Sequence, residues 1–112
     1  MNIFEIYLKK IKELTLKLNK DSLILLPKNL DSINVDVPPK HYDCDISTNL
    51  VMVLSKPNKK SPLILGEELI QYIKNDDKNI ETITLVKPGF INIKFNKNFW
   101  NNFLKEMIYQ GH

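Results

Sequence analysis

The chain has 112 residues, 43% hydrophobic and 26% charged, enough for one domain around one core and ordinary for a soluble globular protein. No apolar run approaches the ~20 residues that span a bilayer, and the lysine-bearing start lacks a small-residue cleavage site, so the expected setting is the cytoplasm, with no membrane partner. All sixteen cations are lysine, against thirteen acids, a net charge of +3 that permits a nucleic-acid partner without requiring one.

Residues 2–18 read as an amphipathic helix. Phe4, Tyr7, Leu8, Ile11, Leu14 and Leu18 recur at i, i+3, i+4 spacing, and Glu5→Lys9 and Glu13→Lys17 are i, i+4 pairs in the favourable order. The apolar stretch from Leu23 to Leu26, closed by Pro27, is short enough to pack as an irregular loop. Ile33, Val35 and Val37 alternate with Asn34 and Asp36, the period of a half-buried strand, which Pro38 and Pro39 stop because neither can donate to a ladder. A polar loop follows, and Asp45 has the side chain of an N-cap for a nearly all-round apolar, buried helix over residues 46–55.

Lys59 and Lys60 belong to a solvated turn. Ser61 before Pro62 predicts a helix start, a capping hydroxyl and then a pre-set first φ, for a helix reaching about Asn75. Residues 82–86 and 90–95 read as two strands joined by Lys87-Pro88-Gly89, where Pro88 and Gly89 suit the two central positions of a type II turn. Asn96 caps a last helix with an apolar stripe of Phe99, Trp100, Phe103, Leu104, Met107 and Ile108. The expected fold is α+β: a small antiparallel sheet packed with about four helices, in a single domain over residues 1–110. Gly111-His112 reads as a linker or tag remnant.

Few residues could carry chemistry. Cys44 is the lone cysteine, so no internal disulfide is possible, and one thiol with His41 and His112 does not make a metal site. Asp45 has only Asp43 nearby as a second acid, and Asn49 one helical turn on is better suited to bonding a loop backbone. Ser47 and Thr48 lack a neighbouring base other than His41, and no glycine-rich loop offers to cradle a phosphate. No catalytic set is expected.

The strand over residues 90–95 is the most informative segment. Alternation sends Ile91, Ile93 and Phe95 to one face and Phe90, Asn92 and Lys94 to the other. The apolar set must face the core, which leaves a ring, a carboxamide and a cation in line on an exposed face. Those are the means of holding an unstacked nucleotide: a stacking platform, an edge-reading amide and a phosphate contact. Spacing alone favours a plainer alternative, in which Phe90 packs under a neighbouring helix and Asn92 is ordinary surface.

Three ordered blocks resemble the N-terminal domain of bacterial arginyl-tRNA synthetases. The first is Val37-Pro38-Pro39 leading through Asp43-Cys44-Asp45-Ile46-Ser47-Thr48-Asn49, similar to a signature that reads His-Gly-Asp, a hydrophobic residue, a small residue, Thr or Ser, and Asn. The second is Val51-Met52-Val53-Leu54-Ser55-Lys56 with Pro62 and Glu68-Leu69-Ile70. The third is Pro88-Gly89-Phe90-Ile91-Asn92, similar to Gly-Pro-Gly-Phe-Ile-Asn, before a helix opening with Phe99-Trp100. The likeness runs from about residue 2 to 109. Asp43 and Cys44 depart from His and Gly, and Val86-Lys87 from Ala-Gly, so the loop is not bound to the family's backbone shape and Lys87 adds a cation.

The resemblance implies a non-catalytic tRNA-binding module that touches the elbow of the tRNA for arginine around its D-loop. Carried over by position, the tRNA-binding residues are Phe90 and Asn92, with Lys87 beside them and Lys94 further along the strand. Asp45, Asn49, Pro88 and Gly89 belong to the shared structural motifs. The parent enzyme would ligate arginine to its tRNA using ATP with magnesium. Its nucleotide-binding and anticodon-binding parts are not recognisable in these residues, so no cofactor is expected here. The implied partners are the tRNA and the catalytic domain of the same chain, in a monomer. The rival reading is a free-standing protein-interaction adaptor working through its helices; a small hydrolase is disfavoured for want of a nucleophile–base pair.

Overall fold

The structure, a computed structural model, describes the backbone of residues 2–109 and the side chains of residues 2–106. The expectations for Gly111-His112 and for the Met107 and Ile108 side chains lie outside the described residues. Helix α1 (Ile3–Lys20) opens on Asn2, whose side chain accepts the Glu5 N–H at 2.9 Å, and its spaced apolar residues Tyr7, Ile11, Leu14 and Leu18 are buried. The irregular stretch that follows sends Ile24 into the core. Strand β1 is shorter than the alternation suggested, Val35–Asp36 only, and Val37 is exposed rather than facing inward with Val35.

The expected helix over 46–55 divides in two. Ile46–Thr48 is a strand, β2, and helix α2 spans Leu50–Asn58. β2 lies between two partners, so both of its edges are hydrogen-bonded, and the ladder outweighs the apolar helical pattern. Asp45 therefore caps no helix. Its N–H donates to the Ile93 carbonyl at 2.8 Å and its carboxylate accepts the Phe95 N–H at 2.8 Å, stitching the chain to the hairpin strand. Asn49 precedes α2 without a side-chain cap bond; its amide instead accepts the Asn34 N–H and donates to the Ser32 carbonyl.

Helix α3 (Pro62–Asp76) begins at Ser61, whose hydroxyl accepts the Ile64 N–H at 3.3 Å. Strands β3 (Ile80–Val86) and β4 (Phe90–Phe95) form the hairpin, and Asn96 opens α4 (Lys97–Tyr109) by accepting the Phe99 N–H at 3.0 Å. The connecting turn is not type II. The Lys87–Pro88 peptide is cis and Gly89 does not take the left-handed φ that such a turn needs. Gly89 matters by close approach: a Cβ there would stand 2.7 Å from Met52 Cγ and 3.2 Å from Pro62 Cβ.

The sheet is antiparallel throughout in the order β1-β2-β4-β3. Its register sorts the residues into two faces, because directly paired residues share a face. Val35, Thr48, Ile91 and Leu85 form one row across the sheet, with Ile46, Ile93 and Ile83 in the next. This face packs against α1, α2 and α3, whose Leu50, Val51, Leu54, Leu65, Leu69 and Ile73 complete the core. The domain is thus a single α+β unit, as the pattern predicted. An aromatic line extends from it: Tyr7 edge-on to Phe95, Phe95 stacked on Phe99 at 4.2 Å, and Phe99 on Phe103.

One polar cluster is buried with the core. Asp77 accepts from the Tyr7 hydroxyl at 3.2 Å and from its own loop at Asn79, and Lys10 lies 3.4 Å away. Burial first, and then the Asp77 carboxylate, push the Tyr7 phenol well above its ordinary range, so it stays protonated and donating. Tyr7→Phe should cost about 1–3 kcal/mol, the penalty of depriving a buried acceptor of a donor. Chemical denaturation of wild type and variant checks this, and an unchanged midpoint would show that the bond contributes nothing.

Candidate functional site

The second face of the sheet carries the polar row Asp36, Ser47, Asn92 and Thr84, one residue from each strand, flanked by the pairs Val86–Phe90 and Thr82–Lys94. No helix was needed to select these residues. They are the odd members of the same alternations that send Val35, Ile46, Ile91 and Ile93 inward. A groove of about 410 Å³ runs over this row, within the usual range for ligand sites. Ser47 and Asn92 lie along its length, Phe90, Val86 and Lys87 at the hairpin, and Val37, Pro39, His41 and Tyr42 in the β1–β2 connection.

The structure brings Phe90, Asn92 and Lys87 into this one groove. Phe90 keeps 36% of its surface exposed. Asn92 does not meet the expectation of an exposed side chain: it is only 3% exposed, set between its strand partners Ser47 and Thr84. Its Oδ1 is buried and has no hydrogen-bond partner. Buried polar atoms are nearly always paired, and an unpaired one costs about 1–3 kcal/mol. The Asn92 side chain lines the groove together with Phe90.

Lys94 stands apart from the groove. Its ammonium lies 2.9 Å from Asp43 and 3.5 Å from Glu81, and the bond to Asp43 is the leading cause that raises its pKa. Its charge is shared in the structure with the connection and with β3, through exposed ion pairs. Lys60 is likewise paired, with Glu68. Asp45 and Asn49 lie outside the groove and fix the two ends of β2, through Phe95 and Ile93 at one end and Ser32 and Asn34 at the other. Pro88 and Gly89 shape the hairpin tip, Gly89 buried against Met52 and Pro62.

The Cys44 thiol is pushed up by burial and then by the Asp45 and Asp43 carboxylates, which keeps it protonated and a poor nucleophile. Among the described residues no three His, Cys, Asp or Glu side chains gather as a metal site, and no helix is long and apolar enough to cross a membrane.

Among the groove residues that the sequence reading did not assign to the site are Asp36, Ser47, His41 and Tyr42. Asp36 was legible as the outward partner of Val35. Ser47 was not, because its segment reads as helix until the sheet claims it. His41 and Tyr42 carry one signal, two adjacent rings in an otherwise polar connection, and in the structure the rings stand 4.3 Å apart and tilted by 39°.

Comparison with known proteins adds to this geometry. The family model described as "Arginyl tRNA synthetase N terminal domain" matches residues 6–95. An arginine–tRNA ligase of Pelagibacter ubique is 58% identical over 112 residues, all of this chain and 19% of the relative. An arginine–tRNA ligase of Bartonella henselae is 38% identical over 99% of the chain, again 19% of the relative. One from Ehrlichia chaffeensis is 36% identical over 80% of the chain and 16% of its own length. The chain thus spans about a fifth of the length of the relatives it matches.

Proposed function

We infer the role of this chain from one premise: it belongs to the arginyl-tRNA synthetase N-terminal domain family. It acts as the tRNA-binding module of an enzyme that uses ATP, with magnesium, to join arginine to its tRNA. The module itself performs no chemistry. It meets the elbow of the tRNA and receives an unstacked D-loop base in the groove beside β4, working in the cytoplasm as part of a monomeric enzyme whose catalytic body is its second partner.

The observation that carries this reading is the Asn92 carboxamide, buried, unpartnered at Oδ1 and set in a groove that Phe90 also lines. The ring offers a stacking platform, which every base can use because each has a π-face. The amide offers an acceptor and a donor to a base edge. Lys87, exposed on the groove, offers a cation to the phosphate that follows the extruded base. Lys94 does not take that part, since Asp43 and Glu81 already hold it.

The test is an NMR titration of the 112-residue chain with its tRNA at several salt concentrations. Amide shifts should gather at residues 36–42, 47 and 86–92. Affinity should fall from low to physiological ionic strength, each phosphate contact adding roughly 0.7–0.9 to the slope of log K against log salt. Shifts confined to the exposed helix faces, or binding indifferent to salt, would favour a protein-interaction adaptor instead.

A further inference from the structure

The β1–β2 connection lines the groove together with Asn92. We propose that His41 and Tyr42 form a second aromatic wall that closes on the bound base from the side opposite Phe90, and that the Lys94–Asp43 ion pair holds this wall in place. The proposal rests on the base-binding reading of the groove and names which further residues grip the base.

Strand geometry supports it. Phe90, Asn92 and Lys94 project from the same face of β4, so Phe90 and Lys94 are separated by about 13 Å along the strand with Asn92 midway, at ~3.3 Å per residue. The connection carrying His41 and Tyr42 leaves β1 after Asp36 and enters β2 at Ile46, which pairs with Ile93. It is therefore at the Lys94 end of the groove, where Asp43 meets Lys94 at 2.9 Å. Phe90 is at the other end, beside Val86 and Lys87. Both rings line the groove that Phe90 and Asn92 also line, and they enter it from the connection at the end away from Phe90.

The chemistry fits a planar base held edge-down. A base resting its edge on Asn92 exposes two faces, and a single ring can cover only one. Rings on both sides cover the two faces, the arrangement that gives stacking its sequence-tolerant grip. The remaining requirement is that the connection not swing away. Asp45, bonded to Ile93 and Phe95, anchors its far end to β4, and Asp43 anchors its middle to Lys94. Lys94 is thus a positioning residue, acting on the base through the wall it holds.

The experiment measures affinity of the 112-residue chain for the tRNA, with melting temperature as a control, for Phe90→Ala, Tyr42→Ala, His41→Ala, Tyr42→Phe and Asp43→Asn. His41 and Tyr42 are surface residues of a loop, so their variants should melt with the wild type. Tyr42→Ala and His41→Ala should each weaken binding about five- to a hundredfold, the loss of one stacked ring. Tyr42→Phe should bind as wild type, since the ring and not the hydroxyl makes the contact. Asp43→Asn is the sharpest arm because two roles predict opposite signs. Removing a carboxylate near a polyanion tightens binding by charge alone, whereas freeing the wall weakens it, and we expect a weakening of about three- to tenfold, reflecting the added cost of ordering the loop. Loss in Phe90→Ala with no change in Tyr42→Ala and His41→Ala overturns the second wall while leaving the base site standing. No loss in Phe90→Ala overturns the base site itself and the wall with it. Tighter binding by Asp43→Asn overturns the part assigned to the ion pair.

Discussion

Ile93→Ala should destabilise the domain by about 2–5 kcal/mol, the range for cutting a large buried side chain back to its Cβ. Ile93 is fully buried and pairs across the sheet with Ile46 on one side and Ile83 on the other, so its loss leaves a cavity in the middle of the row. The neighbours cannot readily collapse into that space, because three of the four strands meet there and backbone ladders fix their separation. Total stability for a domain of this size is of order 5–15 kcal/mol, so the change removes a large fraction of it. Urea denaturation gives the number directly. A loss under ~1 kcal/mol would mean that this face of β4 is not the core face, and the groove would then be assigned to the wrong side of the sheet.

Asn92→Leu and Phe90→Ala should do the opposite: cripple tRNA binding with little harm to the fold. Asn92 is as buried as the core, and for an ordinary buried amide a change to leucine would break hydrogen bonds. Here the Oδ1 has none to break. Replacing an unsatisfied buried acceptor by an apolar group of similar size removes a penalty of about 1–3 kcal/mol, so Asn92→Leu should melt at or above the wild-type temperature. Its tRNA affinity should nonetheless fall at least tenfold, roughly the 1.4 kcal/mol of a lost base-edge contact, since the base now meets a methyl group where it met an acceptor. Phe90 is partly exposed, so its truncation opens no closed cavity, and the lost stacking should cost about 1–3 kcal/mol of binding. The measurements are thermal melting and tRNA affinity on each variant. Destabilisation of Asn92→Leu by more than ~1 kcal/mol would show that its amide serves the fold, and unaltered affinity in both variants would remove the groove from tRNA recognition.

That contrast between two neighbours on one strand also marks how far the sequence could be read. The alternation over residues 90–95 correctly separated Ile91, Ile93 and Phe95 from Phe90, Asn92 and Lys94, since a strand's side-chain period of two is a local property. It could not show that Asn92 would be buried, because that depends on the strands paired on either side of β4. Nor could it show that Lys94 is paired, because Asp43 and Glu81 reach it only across the sheet. The reading of residues 46–48 as the start of a helix went astray for the same reason, while 50–55 are helical as expected. Ile46, Ser47 and Thr48 are too few to display a strand period, and what makes them a strand is a pair of partners, β1 and β4, distant in the chain.

The sequence by itself determined what depends on near neighbours: the helix near the N-terminus, the starts of α3 and α4 at Ser61 and Asn96, the hairpin between residues 82 and 95, the inward face of β4, and the ordered motifs that mark the family. Only the tertiary structure decided what depends on which segments meet: the strand at Ile46–Thr48, the course of the chain at Lys87–Gly89, and the groove that joins Asn92 to His41 and Tyr42. The division is physical. Helix caps and side-chain periodicity arise within a few residues, whereas strand pairing and the cover over a buried amide depend on contacts between residues far apart in the chain, whose identity no local window contains.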